Sequence, residues 1–273
     1  MNIDHKTVTG FGDEWTRFDQ SSLTNEESTI LFEKYFRIFP KSFLNKNAIG
    51  VDFGCGSGRW AKHIAPIVKN LYCIDPSDAI NVAKFNLKNN NNCFFIKTDI
   101  ENLNLENNIF DFGYSLGVLH HIQDTYSALK SCSNKLKKGA PFLLYLYYNF
   151  DNKPKWYGLL WKLSEYFRSF ISKLPLNLRY YFSQLMTFIV YLPLARFAKF
   201  LSIIGLKVDN FPLSAYKDAS IYVMRTDSLD RFGTRLEQRF SKDQIMNMLL
   251  NAGFENIIFS NESPYWCAVG FKK

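Results

Sequence analysis

Ala48-Ile49-Gly50-Val51-Asp52-Phe53-Gly54-Cys55-Gly56-Ser57-Gly58 is the stretch on which the reading of this chain turns. The run from Ala48 to Phe53 reads as a buried strand, and the glycines after it as a turn into a helix through Arg59, Trp60, Ile64 and Val68. Glycine lets the backbone pass close to a ligand, and a helix N-terminus offers unpaired N–H groups. Alone, the turn is ambiguous between a tight turn of no special function and several nucleotide-like sites. The dinucleotide pattern G-x-G-x-x-G is missed, because the third glycine comes one residue early. Asp52 is also awkward beside a pyrophosphate, whereas it would attract a cationic ligand that carries no phosphate.

Two more acids lie outward from the turn at corresponding places. Asp75 ends the apolar run Leu71 to Ile74, about twenty residues beyond the glycines, where a carboxylate can accept from both hydroxyls of a ribose. Asp99, in Lys97-Thr98-Asp99-Ile100, follows the next run and could accept from an adenine amino group or simply cap a turn. Three acids in register at three strand ends are a stronger sign than any one of them.

The wider texture is a βαβ series. Strands are expected at Ala48 to Phe53, Asn70 to Ile74, Cys93 to Lys97, Phe110 to Ser115 and Pro141 to Tyr147, with helices between most of them. The helix Thr125 to Leu136 ends in Lys137-Lys138-Gly139, cations and a glycine suited to a helix C-terminus. Ser241 caps a further helix that ends at Ala252-Gly253, and Phe254 to Ser260 with Tyr265 to Phe271 would form an antiparallel hairpin closing the sheet.

Asp52-x-Gly54-x-Gly56-x-Gly58 resembles the first motif of the class I S-adenosylmethionine-dependent methyltransferases. Ile74-Asp75-Pro76-Ser77 looks like their ribose-binding strand end, Thr98-Asp99-Ile100 like their adenine-contacting turn, and Phe110-Asp111-Phe112-Gly113-Tyr114-Ser115-Leu116-Gly117-Val118-Leu119-His120-His121 like their fourth-strand motif. The resemblance covers Ala48 to about Tyr148 and, more loosely, Phe240 to Lys273. It implies an α/β Rossmann-like fold: a mainly parallel seven-stranded sheet with a C-terminal antiparallel hairpin and a helical insertion after the fifth strand. It further implies S-adenosylmethionine as cofactor and S-adenosylhomocysteine as product, held by Asp52, Gly54, Cys55, Gly56, Gly58, Asp75, Pro76, Thr98, Asp99, Ile100, Leu116 and Gly117. Phe11-Gly12-x-x-Trp15-x-x-Phe18 looks like the lead-in of several bacterial members that folds over the cofactor, which makes Trp15 a further contact.

Methyl transfer asks the protein to align an acceptor and exclude water, with a general base where the acceptor is a hydroxyl. The candidates are His120, His121, Tyr145 and Tyr147. Neighbours on a helix diverge by about 100°, so at most one histidine faces an acceptor. A metal site on His120, His121 and Asp124 is the weaker reading, and no metal is expected.

The chain therefore divides into an N-terminal helical extension (1–47), a cofactor-binding core (48–150), a helical insertion (151–240) and a segment completing the core (241–273). The net charge of +8 is concentrated in the insertion, where residues 151–240 hold 14 Lys or Arg against 7 Asp or Glu. Rich in aromatics and punctuated by prolines, the insertion reads as two or three helices followed by a loop. It is expected to lie over the carboxyl edge of the sheet, where open α/β sheets bind ligands. A lid over a small acceptor, with Tyr148, Arg225, Arg231, Arg235 and Arg239 meeting a carboxylate or phosphate, is the preferred function. A transient membrane-surface contact, with a lipid or quinone as acceptor, and a homodimer interface are the alternatives. Nucleic acid ranks lower, and a non-catalytic cofactor-binding scaffold is a separate class.

Tyr180 to Ala195, the longest uncharged stretch, contains Pro193 and falls short of the roughly 20 residues that a spanning helix needs. It is expected to be buried or interfacial. Five scattered cysteines with no C-x-x-C pair, and an N-terminus lacking a basic flank and apolar run, suggest a reducing cytoplasm.

Overall fold

Seven strands lie side by side in the order β3-β2-β1-β4-β5-β7-β6 in the computed structural model, which describes residues 2–273. They are β1 (Ile49–Phe53), β2 (Asn70–Ile74), β3 (Cys93–Ile96), β4 (Phe112–Leu116), β5 (Pro141–Tyr145), β6 (Phe254–Phe259) and β7 (Cys267–Lys272). The first five run parallel, and β7 enters antiparallel between β5 and β6. This is the mainly parallel Rossmann-like sheet with a C-terminal antiparallel hairpin that the sequence implied. Its strand order reverses beside β1, which opens a crevice at the carboxyl ends of β1 and β4.

Two apolar layers cover the sheet. On one face, Ala128, Leu129 and Cys132 of the helix Thr125–Lys135 and Ile245 and Leu249 of the helix Lys242–Asn251 pack with Phe53, Phe142 and Phe254. On the other, Phe36, Ile64, Ile80, Ala83 and Leu87 pack with Phe112, Tyr114 and Leu143. The helix ends are set by local chemistry. Asp124 accepts from the Ser127 N–H, and Ser241 with Gln244 forms a reciprocal capping box.

Several boundaries differ from the sequence reading. The helix after the glycine turn is only Ala61–Ile64, because Pro66 converts its continuation into a 3₁₀ turn. β5 ends at Tyr145, so Tyr147 and Tyr148 stand beyond it, and Tyr148 forms a lone bridge with Phe240. β7 starts two residues later than expected, at Cys267. The N-terminal extension holds two helices, α1 (His5–Arg17) and α2 (Asn25–Phe36).

The chain falls into two compact units. The first is Met1–Gln20, Thr24–Tyr148 and Leu236–Lys273; the second is Ser21–Leu23 and Asn149–Arg235. The second begins close to where the insertion was drawn but stops before 240, since Phe240 N–H donates to Tyr147 C=O and Gln238 N–H to His120 C=O within the first unit. Its helices are α3 (Lys155–Ile171), a rod from Leu176 to Ile203, and α4 (Ile221–Gly233), numbered here after the two N-terminal helices. The sequence reading had a loop where α4 lies, and it undervalued the rod. Pro193 does not end that helix: a π turn at Thr187–Tyr191 shifts the hydrogen-bond register, and the proline falls in the first turn of the α-helical stretch Leu192–Ile203. By length and composition the 28-residue rod is sufficient to cross a membrane, and 22% of its most apolar window is buried. The expectation of a segment too short to span is therefore corrected, and of the two readings given for it, buried or interfacial, the rod is mostly not buried.

Candidate functional site

The turn after β1 is fixed by its backbone. Gly54 and Cys55 N–H groups both donate to Ile74 C=O, at 2.8 and 3.0 Å, which ties the turn to the end of β2. Gly56 has φ +52°, and a Cβ there would lie 2.9 Å from Trp15 Nε1. Across the crevice, Gly117 at the end of β4 has φ +77°, and a Cβ built on it would meet nothing within 4 Å. One glycine is thus closely covered, and the other borders open space.

Asp52 is fully buried, opposite Tyr114 in the β1–β4 register. Neither carboxylate oxygen, nor the Tyr114 hydroxyl, reaches full hydrogen-bond geometry among the described residues, although the hydroxyl lies close enough to favour the carboxylate. Burial pushes the Asp52 carboxyl well above the usual carboxylate range; Tyr114 opposes this, and the Asp75 charge adds to it. A buried acid left without a donor is costly unless something arrives to satisfy it.

Asp75 is also buried, and desolvation raises its pKa against the pull of Ser77 and Gly56. Its Oδ2 accepts from Gly56 N–H at 2.9 Å, and Oδ1 accepts from the Ser77 N–H and hydroxyl at 2.8 and 2.6 Å. This carboxylate joins the glycine turn to the β2 end and keeps acceptor capacity, since two oxygens offer about four lone-pair sites. Asp99, half-buried, accepts from Asn102 N–H and Nδ2 at 2.9 and 2.8 Å. It closes a turn through these two bonds. Thr98 and Pro76 are half-buried, whereas Ile100 and Leu116 are buried in apolar clusters.

Helix α1 passes across these strand ends. Phe11 packs on His121 with ring centroids 4.8 Å apart, Gly12 approaches Ser77 and Asp78, and Trp15 covers Gly56. Arg59 lies over both Trp15 and Trp60, at 5.2 and 4.4 Å from the ring centroids. The lead-in sequence therefore stands over the glycine turn.

His120 and His121 occupy a 3₁₀ turn, Leu119–His121, just after β4. Their rings lie 3.9 Å apart despite the expected divergence. His121 Nδ1 is 2.7 Å from Leu236 C=O; a carbonyl only accepts, so Nδ1 carries the proton and Nε2 is the basic nitrogen of the neutral ring. His120 is wholly buried, stacks on Tyr147 at 3.9 Å, and has no hydrogen bond to either ring nitrogen. Desolvation holds its pKa well below the usual histidine value, helped by His121 and Arg239. Arg239 lies 5.1 Å over the Tyr147 ring and donates to Tyr148 C=O at 3.1 Å and to Glu237 at 2.8 Å. Tyr145 sits nearby, 5.9 Å from Tyr147, and meets Tyr35 edge-on; burial pushes its pKa up, so it is a neutral phenol.

His120, His121, Tyr145, Tyr147, Tyr148 and Arg239 are thus brought together in the first unit. Arg225, Arg231 and Arg235 belong to the second. Arg225 donates to Gln184 and Tyr180, Arg231 to Ser164 and Glu165, and Arg235 gives its carbonyl to Arg168. The sequence reading missed Ser77 and Tyr114 as partners of the two acids, and Gln238 as a backbone clamp on His120. Tyr114 was legible as the in-register neighbour of Asp52. Gln238 carried no signal.

Residues 51–144 match a family model described as a methyltransferase domain. Among curated proteins, a tRNA U34 carboxymethyltransferase of Aliarcobacter butzleri (strain RM4018) is 32% identical over 119 residues, which is 41% of this chain. The chain spans 37% of that relative's length. Solved structures with a similar fold include the putative methyltransferase of Haloferax volcanii in complex with the Trm112 activator (11% identity, 95% of this chain and 96% of that one, TM-score 0.52). A putative O-methyltransferase of Nostoc punctiforme is also similar (12% identity, 94% and 60%, TM-score 0.52). At such identities the structural likeness concerns the fold.

Proposed function

From a chain whose residues 51–144 belong to the methyltransferase-domain family, we propose an enzyme that transfers a methyl group from S-adenosylmethionine to an O, N or S atom of a small molecule. The observation that carries the cofactor is Asp52: fully buried, beside the Tyr114 hydroxyl but with neither oxygen in a well-formed hydrogen bond, and at the mouth of a turn that Trp15 covers. A ligand with an ammonium and a sulfonium supplies the positive charge that this carboxylate lacks, and a ribose suits the remaining acceptor capacity of Asp75. When bound, S-adenosylmethionine supplies an electrophilic methyl on a positively charged sulfur.

The chain's own residues supply position and proton transfer. Trp15 and Phe11 on α1 exclude water from the strand ends. His121, its tautomer fixed by Leu236, presents Nε2 as the base that takes the acceptor's proton. Tyr147 and Tyr148, held under Arg239, form the wall against which an acceptor rests, and Arg239 favours an anionic one. Arg225 and Arg231 are engaged within their own unit and serve this reading less well.

Titration calorimetry with S-adenosylmethionine and S-adenosylhomocysteine tests the cofactor; folded protein that binds neither overturns the proposal. Incubation with labelled cofactor and a fractionated metabolite extract, beside an unmodified tRNA pool, tests the acceptor. Label entering only the tRNA would replace the small-molecule reading.

A further inference from the structure

The second unit has a small apolar core and leaves its longest apolar stripes exposed. Along α3 the outward residues are Trp156, Leu159, Leu160, Leu163, Tyr166, Phe167 and Phe170, a continuous apolar stripe at helical spacing, with Tyr166 78% and Phe170 64% exposed. The inward face of the same helix carries Ser164, Glu165 and Arg168. Glu165 pairs with Arg168 and Arg231 there, and Arg168 donates to Thr234 C=O. The rod repeats the pattern. Leu178, Tyr181, Phe182, Leu185, Phe188 and Ile189 face out, followed by Phe197, Phe200 and Ile203, the last 74% exposed. Its buried residues include Arg179, Ser183, Gln184 and Thr187. A helix packing in water turns its apolar stripe toward its neighbours. Here α3 and the rod pack on α4 through a small apolar cluster of Ile171, Tyr191, Ala195, Met224 and Phe232 together with polar side chains, and the longer apolar stripes are turned away from it.

The charges show what covers these faces. From Lys155 to Ile203 the chain has seven Lys or Arg and a single acid, Glu165. Lys155, Lys162, Lys173, Arg196 and Lys199 are exposed among the aromatics, whereas Glu165 is turned inward. Two copies meeting through this surface would press like charges together. An anionic bilayer satisfies both components, since it takes up leucine and aromatic side chains and its headgroups attract the lysines, whose long stems reach back to the surface.

We infer that the unit Asn149–Arg235 is a membrane-docking module, which seats the apolar stripes of α3 and the rod in the surface of an anionic bilayer. This inference does not depend on the cofactor reading, and either can fail alone.

The test is flotation of the full chain with vesicles of phosphatidylcholine, with and without 30% phosphatidylglycerol (about one anionic lipid in three), at low and high salt. The protein should rise with the anionic vesicles, rise less in salt, and show a blue shift of tryptophan emission from Trp156. The paired variant Leu163→Glu, Phe167→Glu alters exposed positions only. It should lose at least about tenfold in bound fraction while S-adenosylhomocysteine affinity stays unchanged. Wild-type protein left at the bottom of every gradient overturns the inference. So does flotation unaffected by the paired variant, or a stable dimer in solution that the variant dissolves.

Discussion

The indole of Trp15 stands where a side chain on Gly56 would begin, 2.9 Å from its Cβ position. The helix that begins at His5 and the turn after the first strand are therefore fitted to each other, and a methyl group is enough to disturb them. Gly56→Ala should displace Trp15 and also hold alanine at φ +52°, costing about 1 kcal/mol of stability. Affinity for S-adenosylhomocysteine should fall by roughly tenfold or more, equivalent to about 1.4 kcal/mol. Trp15→Ala should weaken binding without the stability loss. Calorimetry beside thermal melts separates the two effects.

Asp52 should be a stability defect maintained for binding. Its folded pKa is raised, so the folded state holds a proton that the unfolded chain has released; stability thus falls as pH rises from near 3.8 through the raised value. Asp52→Asn removes this loss. At neutral pH its melting temperature should rise, by roughly 2–4 °C for each kcal/mol recovered, while cofactor binding disappears. A variant that is less stable than wild type at pH 8 would contradict the assignment.

The same acid makes cofactor binding a proton-coupled event. A cation beside Asp52 favours the carboxylate, so the ligand expels the proton that burial retains. Affinity should therefore increase with pH up to the raised pKa, by at most about tenfold per unit for one proton. Calorimetry in two buffers of different ionisation enthalpy should register the proton released. Asp75, also raised by burial, acts in the same direction.

His120 predicts an acid limb of opposite sense. Burial lowers its folded pKa, so the unfolded chain binds the extra proton and stability falls as pH drops below about 6.5. His120→Phe should flatten that limb in urea titrations between pH 7.5 and 5, while leaving the stack on Tyr147. His121→Ala should instead lower kcat by about a hundredfold or more with S-adenosylhomocysteine binding retained.

Glu165 is the one carboxylate against Arg168 and Arg231 in the second unit. Glu165→Gln should leave two cations undercompensated and cost that unit roughly 1–3 kcal/mol. Cofactor affinity should be unchanged, because every residue assigned to the cofactor lies in the first unit. Hydrogen exchange resolved by segment would show the loosening confined to 149–235.

The sheet was legible because its strands are short apolar runs, three of which, β1, β2 and β4, are followed directly by a glycine or an acid. The two acids of the candidate site were legible for the same reason: Asp52 and Asp75 stand near the carboxyl ends of the neighbouring strands β1 and β2. Partnerships across the chain were not. Nothing in the residues around Leu236 announces that its carbonyl will fix the tautomer of His121, 115 positions away. The rod was misread because proline is a strong stop signal and the π turn that accommodates it has no sequence mark. The insertion was misjudged for a deeper reason. Periodicity shows that a helix has an apolar face, but only the packed unit shows which way that face is turned.

Tyr148 and Phe240 stand side by side in a single ladder rung, and Phe240 N–H donates to Tyr147 C=O at 2.9 Å. The chain comes back, after some ninety residues, to the place it left. The excursion Asn149–Arg235 is separable in principle, provided that Leu236, Gln238 and Arg239, which hold His121, His120 and Tyr148, stay with the first unit. The same rung is a point at which a different insertion could be grafted onto an otherwise unchanged sheet, so the proposed membrane seat and the proposed methyl transfer reside in separable pieces of sequence.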